Sequence, residues 1–366
     1  MIPILLSAVV AASPINYLST FRDWIVGCDN RHACHATTLY PELTAEEVEA
    51  GVEDSVADNA IGIAILRNAG ANDAAHVRFL HCYQCDPKED PDPAAVRSLA
   101  VLDKVGKVLF RLKLSLQDVG QANAPDGLPI PADSSLFAAL AEGEVIELHD
   151  GSDQFLTSIS LRGLRDAMRY MDTDQRRLGN VTALAERGKA AATLVPPWIP
   201  EPPIIVPPAS ALPPVELTPA ELRRLQEKNK CDDPVVGLPE AIYQRLDDRT
   251  TMLLLNAGCS SYNGEGFVYV VDNGGKALLA PVRLTPTETA LEAPQVVSAH
   301  WDKKERRLHS FERGRAMADC GAELTFAWDG TQFLLVEEAD MGACRGSVDY
   351  ITVYRRETVE RGKLPR

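Results

Sequence analysis

Short apolar runs alternate with turn chemistry along this chain, and the period of those runs sets the expected elements. In the first half, Phe21–Gly27, Ile61–Arg67, Val77–Tyr83, Val96–Leu102 and Val108–Leu116 are apolar stretches of strand length, separated by Asp, Asn, Gly and Pro. The cap-like Thr44-Ala-Glu-Glu47 marks a short helix over Leu43–Val52. Ser134–Ala141 reads as a second helix, with a strand after it at Val145–Leu148 and a turn at Asp150-Gly151. Leu161, Leu164, Ala167, Met168, Met171 and Leu178 recur at helical spacing, so Leu161–Leu178 should be a long helix with one apolar face. The pattern predicts an α+β first half built on an antiparallel sheet.

The second half carries shorter runs about ten residues apart: Thr251–Leu255, Gly266–Asp272, Ala277–Val282, Val296–Asp302, Arg307–Arg313, Ala322–Trp328, Gln332–Glu337 and Tyr350–Tyr354. Asp272-Asn-Gly-Gly275 and Asp329-Gly330 between apolar runs are hairpin turns. Such spacing predicts a mainly antiparallel β domain, a sandwich or a barrel.

One composition break separates the halves. Pro196-Pro-Trp-Ile-Pro-Glu-Pro-Pro203, Pro207-Pro208, Pro213-Pro214 and Pro219 fix φ and remove donors, so this stretch should be an extended spacer without packed backbone. A linker is preferred here over a proline-motif ligand. Thr218, Pro219 and Glu221 form a capping box at its end, starting a helix that runs to about Asn229. The expected organisation is thus a domain over 15–195, a linker over 196–217 and a domain over 218–360.

Charge narrows the function classes. With 52 acidic against 37 basic residues the chain carries −15 at neutral pH, and no basic stripe is visible to displace counterions from a nucleic acid. Anionic lipid surfaces are disfavoured for the same reason. The run Met1–Ala12 is too short to span a bilayer but suits the apolar region of a signal peptide, with cleavage before Ser13. No Lys or Arg precedes it, and a buried N-terminal strand or helix is the alternative. No transmembrane segment is expected elsewhere.

Eight cysteines strengthen the exported reading: Cys28, Cys34, Cys82, Cys85, Cys231, Cys259, Cys320 and Cys344, four in each half. In an oxidising compartment this is a disulfide framework, expected as 28–34, 82–85, 231–259 and 320–344, whereas in the cytosol it would suggest metal. Cys28, Cys34, Cys82 and Cys85, with His32, His35 and His81 nearby, are the alternative zinc set. Only Cys82-Tyr-Gln-Cys85 has redox spacing, and a proline-rich loop follows it instead of a helix. No nucleophile elbow, zinc-protease motif or phosphate loop occurs. Arg315, Asp319 and Arg345 flank the expected 320–344 bridge and could meet there, as a small binding site or as an ion pair holding a turn.

Phe21-Arg-Asp-Trp-Ile-Val-Gly-Cys28, Ser160-Leu-Arg-Gly-Leu-Arg-Asp-Ala167, Asp172-Thr-Asp-Gln175, Asp319-Cys-Gly321, Trp328-Asp-Gly330 and Cys344-Arg-Gly346 resemble a family of secreted proteobacterial proteins known as domain of unknown function 1176. The first two segments also resemble the invasion-associated locus B family over the N-terminal half. These resemblances imply a periplasmic or secreted location and carry over no catalytic residue. The expectation is a non-enzymatic envelope protein that binds a protein or cell-envelope component, without a cofactor. A thiol–disulfide oxidoreductase or zinc protein using the N-terminal Cys/His cluster is the alternative.

Overall fold

The computed structural model of the chain describes residues 18–42, Glu49, 61–81, 90–231, 237–283 and 295–363. The helix expected over Leu43–Val52 and the Cys82–Cys85 pair lie outside the described residues. In chain order, β1 (Ser19–Phe21), β2 (Trp24–Cys28), β3 (Cys34–Thr38), β4 (Ile61–Arg67) and β5 (Ala75–His81) form one antiparallel sheet. β6 (Ser98–Leu102) and β7 (Val108–Lys113) begin a second. Helix α1 (Leu116–Ala122) follows, and β8 (Leu128–Ile130) returns to the first sheet beside β5. Helix α2 (Ser135–Glu142) leads into β9 (Val145–His149) and β10 (Phe155–Ser160), which complete the second sheet in the order β10-β9-β6-β7. Helix α3 (Leu164–Asp174) packs against β2.

Helix α3 is shorter than its apolar spacing predicts. Gly163, with φ of +93°, precedes it, and a side chain there would stand 1.9 Å from the carbonyl oxygen of Phe21. Arg176, with φ of +55°, follows its end. Leu161 and Leu178 therefore lie outside the helix.

β2 explains why its sequence is apolar without alternation. Trp24, Val26 and Cys28 face the core of the first half, with Ile63, Leu99, Phe137 and Met168. Ile25 points the other way, onto Leu39, Met341, Ile351 and Val353. A strand covered on both faces reads as a continuous hydrophobic run. Gly27 lies on that second face, where an added Cβ would meet Leu18 at 2.6 Å and Ile351 at 3.1 Å. The halves are thus packed together through β2 and the C-terminal strands.

The proline segment corrects the expectation of an unpacked spacer. β11 (Ile204–Val206) lies within it and pairs in parallel with the last described strand, Thr358–Glu360. Trp198 Nε1 donates to the Asn30 carbonyl at 3.3 Å, and the Arg31 guanidinium stands over the Trp198 ring. The physical reason is local. Prolines remove donors on either side, but Ile204-Ile205-Val206 keeps its N–H groups, and a strand with one partner tolerates flanking prolines.

Beyond it, helix α4 (Pro219–Lys228) carries the expected capping box, Thr218 with Glu221. β12 (Glu240–Arg245), β13 (Thr250–Ala257), β14 (Glu265–Asp272) and β15 (Ala277–Leu279) form a third sheet. β16 (Val282–Arg283) opens a fourth, while β17 (Gln295–Val297) pairs with β14. β18 (His300–Asp302), β19 (Arg307–Arg313), β20 (Gly321–Trp328), β21 (Phe333–Met341) and β22 (Ile351–Arg355) complete the fourth, and β23 (Thr358–Glu360) is the partner of β11. β13 repeats the logic of β2: Met252 and Leu254 enter a core with Phe326, Trp328 and Phe333, while Leu253 and Leu255 meet Leu225 of α4. The described chain is mostly β, in several antiparallel sheets of which none closes, so no barrel forms.

Candidate functional site

Three disulfides stand as the spacing predicts: Cys28–Cys34, Cys231–Cys259 and Cys320–Cys344. The first joins directly opposed residues of β2 and β3 and is buried. Asp174, the last residue of α3, places a carboxylate oxygen 3.8 Å from Cys34 Sγ and 2.8 Å from Nδ1 of His32, which has φ of +59°. Both sulfurs and the Asp174 carboxylate lie within 4.8 Å of one another. With each sulfur bonded to the other, neither offers the thiolate that zinc or exchange chemistry needs.

Arg315 and Asp319 meet as the sequence allows; Arg345 does not join them. Arg315 Nε donates to Asp319 at 2.6 Å, and its Nη2 binds the second carboxylate oxygen. That buried oxygen also accepts the Gly346 N–H at 2.8 Å. Burial pushes the Asp319 carboxyl up, but the hydrogen bonds from Arg315 and Gly346 outweigh it and hold the group below the usual carboxylate range. Arg345 turns away across the seam. Its guanidinium donates to the carbonyls of Arg22 and Tyr40 and to Asp23 at 2.9 Å. Adjacent residues, Arg345 and Gly346, thus tie the 320–344 bridge to both halves.

Asp23 was silent in the composition argument and is the hub of this seam. Its side chain is 1 % exposed and accepts from Arg162 Nε at 2.8 Å, Ser160 Oγ at 2.7 Å and the Glu42 N–H at 2.7 Å, besides Arg345. A second hub is Asp349, bonded to His35 Nε2 at 2.8 Å and to Arg78. Burial raises the Asp349 carboxyl, yet the charge and hydrogen bond of His35 and the charge of Arg78 bring it down to about 2. His35, singled out beside Cys34 as a ligand, therefore serves this ion cluster. Nothing in the linear spacing connects His35, Arg78 and Asp349; the packing of the halves does.

Asp349 lines a cavity of about 170 Å³ at the seam, with Thr38, Tyr40, Gly62, Leu80, His81, Ser347 and Val348. Tyr40 forms one wall against Gly346, whose φ is +73°; any Cβ there would stand 2.1 Å from the ring. Burial raises the Tyr40 hydroxyl above its ordinary range, as do the nearby charges of Asp319 and Asp90. The arrangement is a notch of mixed polar and apolar lining whose buried carboxylate, Asp349, is paired with His35 and Arg78.

The family model described as a protein of unknown function, DUF1176, matches residues 18–357. The chain belongs to that family. This DUF1176 chain is 27 % identical over 345 residues to "Uncharacterized protein YpfG" of Escherichia coli strain K12, with 88 % of each chain covered. It is also similar to the crystal structure of invasion associated protein B from Bartonella henselae, at 14 % identity and a TM-score of 0.26, over 44 % of this chain and 99 % of that one. So low a score says nothing about how the DUF1176 chain folds.

Proposed function

We propose that this protein is a periplasmic or secreted envelope protein that binds a partner, a protein or an envelope component, at the notch between its halves, without catalysing a reaction. In this reading residues 1–12 are the leader, 15–195 an α+β domain, 196–217 the linker and 218–360 a β domain. Three disulfides support an oxidising compartment. Among the described residues no helix is long and apolar enough to cross a membrane. One observation carries the binding reading: the charged groups around the notch are spent on fixed pairs, while its rim, Val348 and His81, is exposed. A preformed concave site with locked walls suits recognition. The buried 28–34 bridge counts against thiol exchange at that end of the chain.

Site-specific photo-crosslinking in the producing cell tests it. A crosslinker at His81 should give a defined adduct that disappears when Val348→Trp covers the notch. The same crosslinker at Val105, far out on the β6–β7 turn, should give none. Equal adducts from both positions, or adducts indifferent to Val348→Trp, would refute the site.

A further inference from the structure

Away from the seam, the β18–β19 hairpin sets two histidines face to face. His300 stands directly opposite His309 in the strand register. Their rings are nearly parallel, 11° apart, with centroids separated by 4.9 Å. His309 Nδ1 lies 3.1 Å from Thr325 Oγ1 on the neighbouring β20, which fixes the ring. Asp302, two residues after His300, shares that face of the strand. Its Oδ1 accepts the Glu305 N–H at 2.7 Å. The pair thus offers two imidazole nitrogens, one from each strand of the hairpin.

We propose that His300 and His309 chelate a divalent metal ion of the imidazole-preferring kind, copper(II) or zinc. The hydroxyl of Thr325 accepts from Nδ1–H in one tautomer of His309; in that tautomer Nε2 carries the lone pair, the arrangement in which a second partner orients a metal-binding histidine. Closing on one ion requires the two ligand nitrogens to come within about 2.0–2.1 Å of it. His300 is exposed and supplies the movement by turning its ring; His309, half-buried and tethered, supplies the fixed point. A nitrogen-rich set without a thiolate should favour copper over zinc by the usual order of affinities.

Calorimetric titration of the full chain, disulfides intact, with copper sulfate and separately with zinc sulfate decides the matter. A tightest class of one ion per chain is expected, stronger for copper, with an electron paramagnetic resonance spectrum showing two coordinated nitrogens. Thr325→Val should weaken it by about tenfold. His300→Gln and His309→Ala should each cost more than that, and His76→Ala should leave it unchanged. His300→Gln, on an exposed position, carries the test if His309→Ala fails to fold. Unchanged affinity in His300→Gln, or no binding to the unsubstituted chain at micromolar ion, would overturn the proposal.

Discussion

Replacing Asp23 with Asn keeps the shape of the hub and removes its charge, which makes it the sharpest probe of the seam. Four donors converge on the native carboxylate, two of them guanidinium groups from opposite halves, Arg162 and Arg345. The Asn side chain offers one acceptor oxygen where two stood, and turns an N–H₂ group toward one of the arginines. Breaking a buried ion pair by removing one partner costs about 3–5 kcal/mol. Here Arg345 and Arg162 remain 25 % and 33 % exposed and can recover water, so about 2–3 kcal/mol is the expected loss, in line with charge-assisted hydrogen bonds. Urea unfolding of Asp23→Asn, Arg345→Met and the double variant forms a cycle. Its coupling energy should fall at about 1–3 kcal/mol. The acid limb gives a second readout. Burial raises the Asp23 carboxyl, but the Arg162, Glu42 and Ser160 hydrogen bonds lower it further, so its folded value is depressed. Its contribution is present above the unfolded value near 4 and is lost as pH falls through the folded one, a loss that Asp23→Asn should abolish. Coupling under about 0.5 kcal/mol would refute the reasoning.

Asp349, held at about 2 in the folded chain, should likewise contribute stability above pH about 4 that disappears as pH falls toward 2; in His35→Asn the neutral-pH stability should drop and the acid loss become shallower on a pH–urea surface. Asp172→Ala should destabilise by about 3–5 kcal/mol in thermal or urea melts, because it strands the fully buried Arg67 guanidinium that Asp172 bonds at 3.2 Å. Replacing Cys320 and Cys344 together by Ala should cost about 3.5 kcal/mol on the chain-entropy estimate for a separation of 24 residues, and a non-reducing peptide map should show that bridge beside 28–34 and 231–259. N-terminal sequencing of the exported protein should read from Ser13 or close to it; an intact Met1 would defeat the leader.

Local signals carried well from sequence to structure. The Thr218–Glu221 capping box, the Asp272–Gly275 turn and the sulfur pairs 28–34, 231–259 and 320–344 each depend on a short stretch of chain, and each stands where the spacing put it. Helix α1 escaped because its capping box closes with Asp118 rather than Glu or Gln. β12 escaped because Glu240–Arg245 is a half-exposed strand whose three apolar residues, Ala241, Ile242 and Tyr243, stand in one short block between polar ends. The unbroken hydrophobicity of Trp24–Val26 did hold a readable message, that both faces are covered, but not which residues cover the second one. The hubs were illegible for the same reason. Asp23 with Arg345, and His35 with Asp349, are separated by more than 300 residues, and no periodicity reaches that far.

The pairing of β11 with β23 fixes an order of assembly. A chain that emerges N-terminus first presents Ile204–Val206 long before Thr358–Glu360 exists to bond it, and presents the Ile25–Gly27 face before Ile351 and Val353 arrive. Contacts of such long sequence separation are the slow ones to close. Until residues 351–360 are made, the polypeptide therefore carries an open backbone edge and an uncovered apolar stripe together, both attractive to proteases and to other chains. Arrival of residues 351–360 hides the two within ten residues of chain, so a copy cut short before Ile351 should be digested faster than one that includes them.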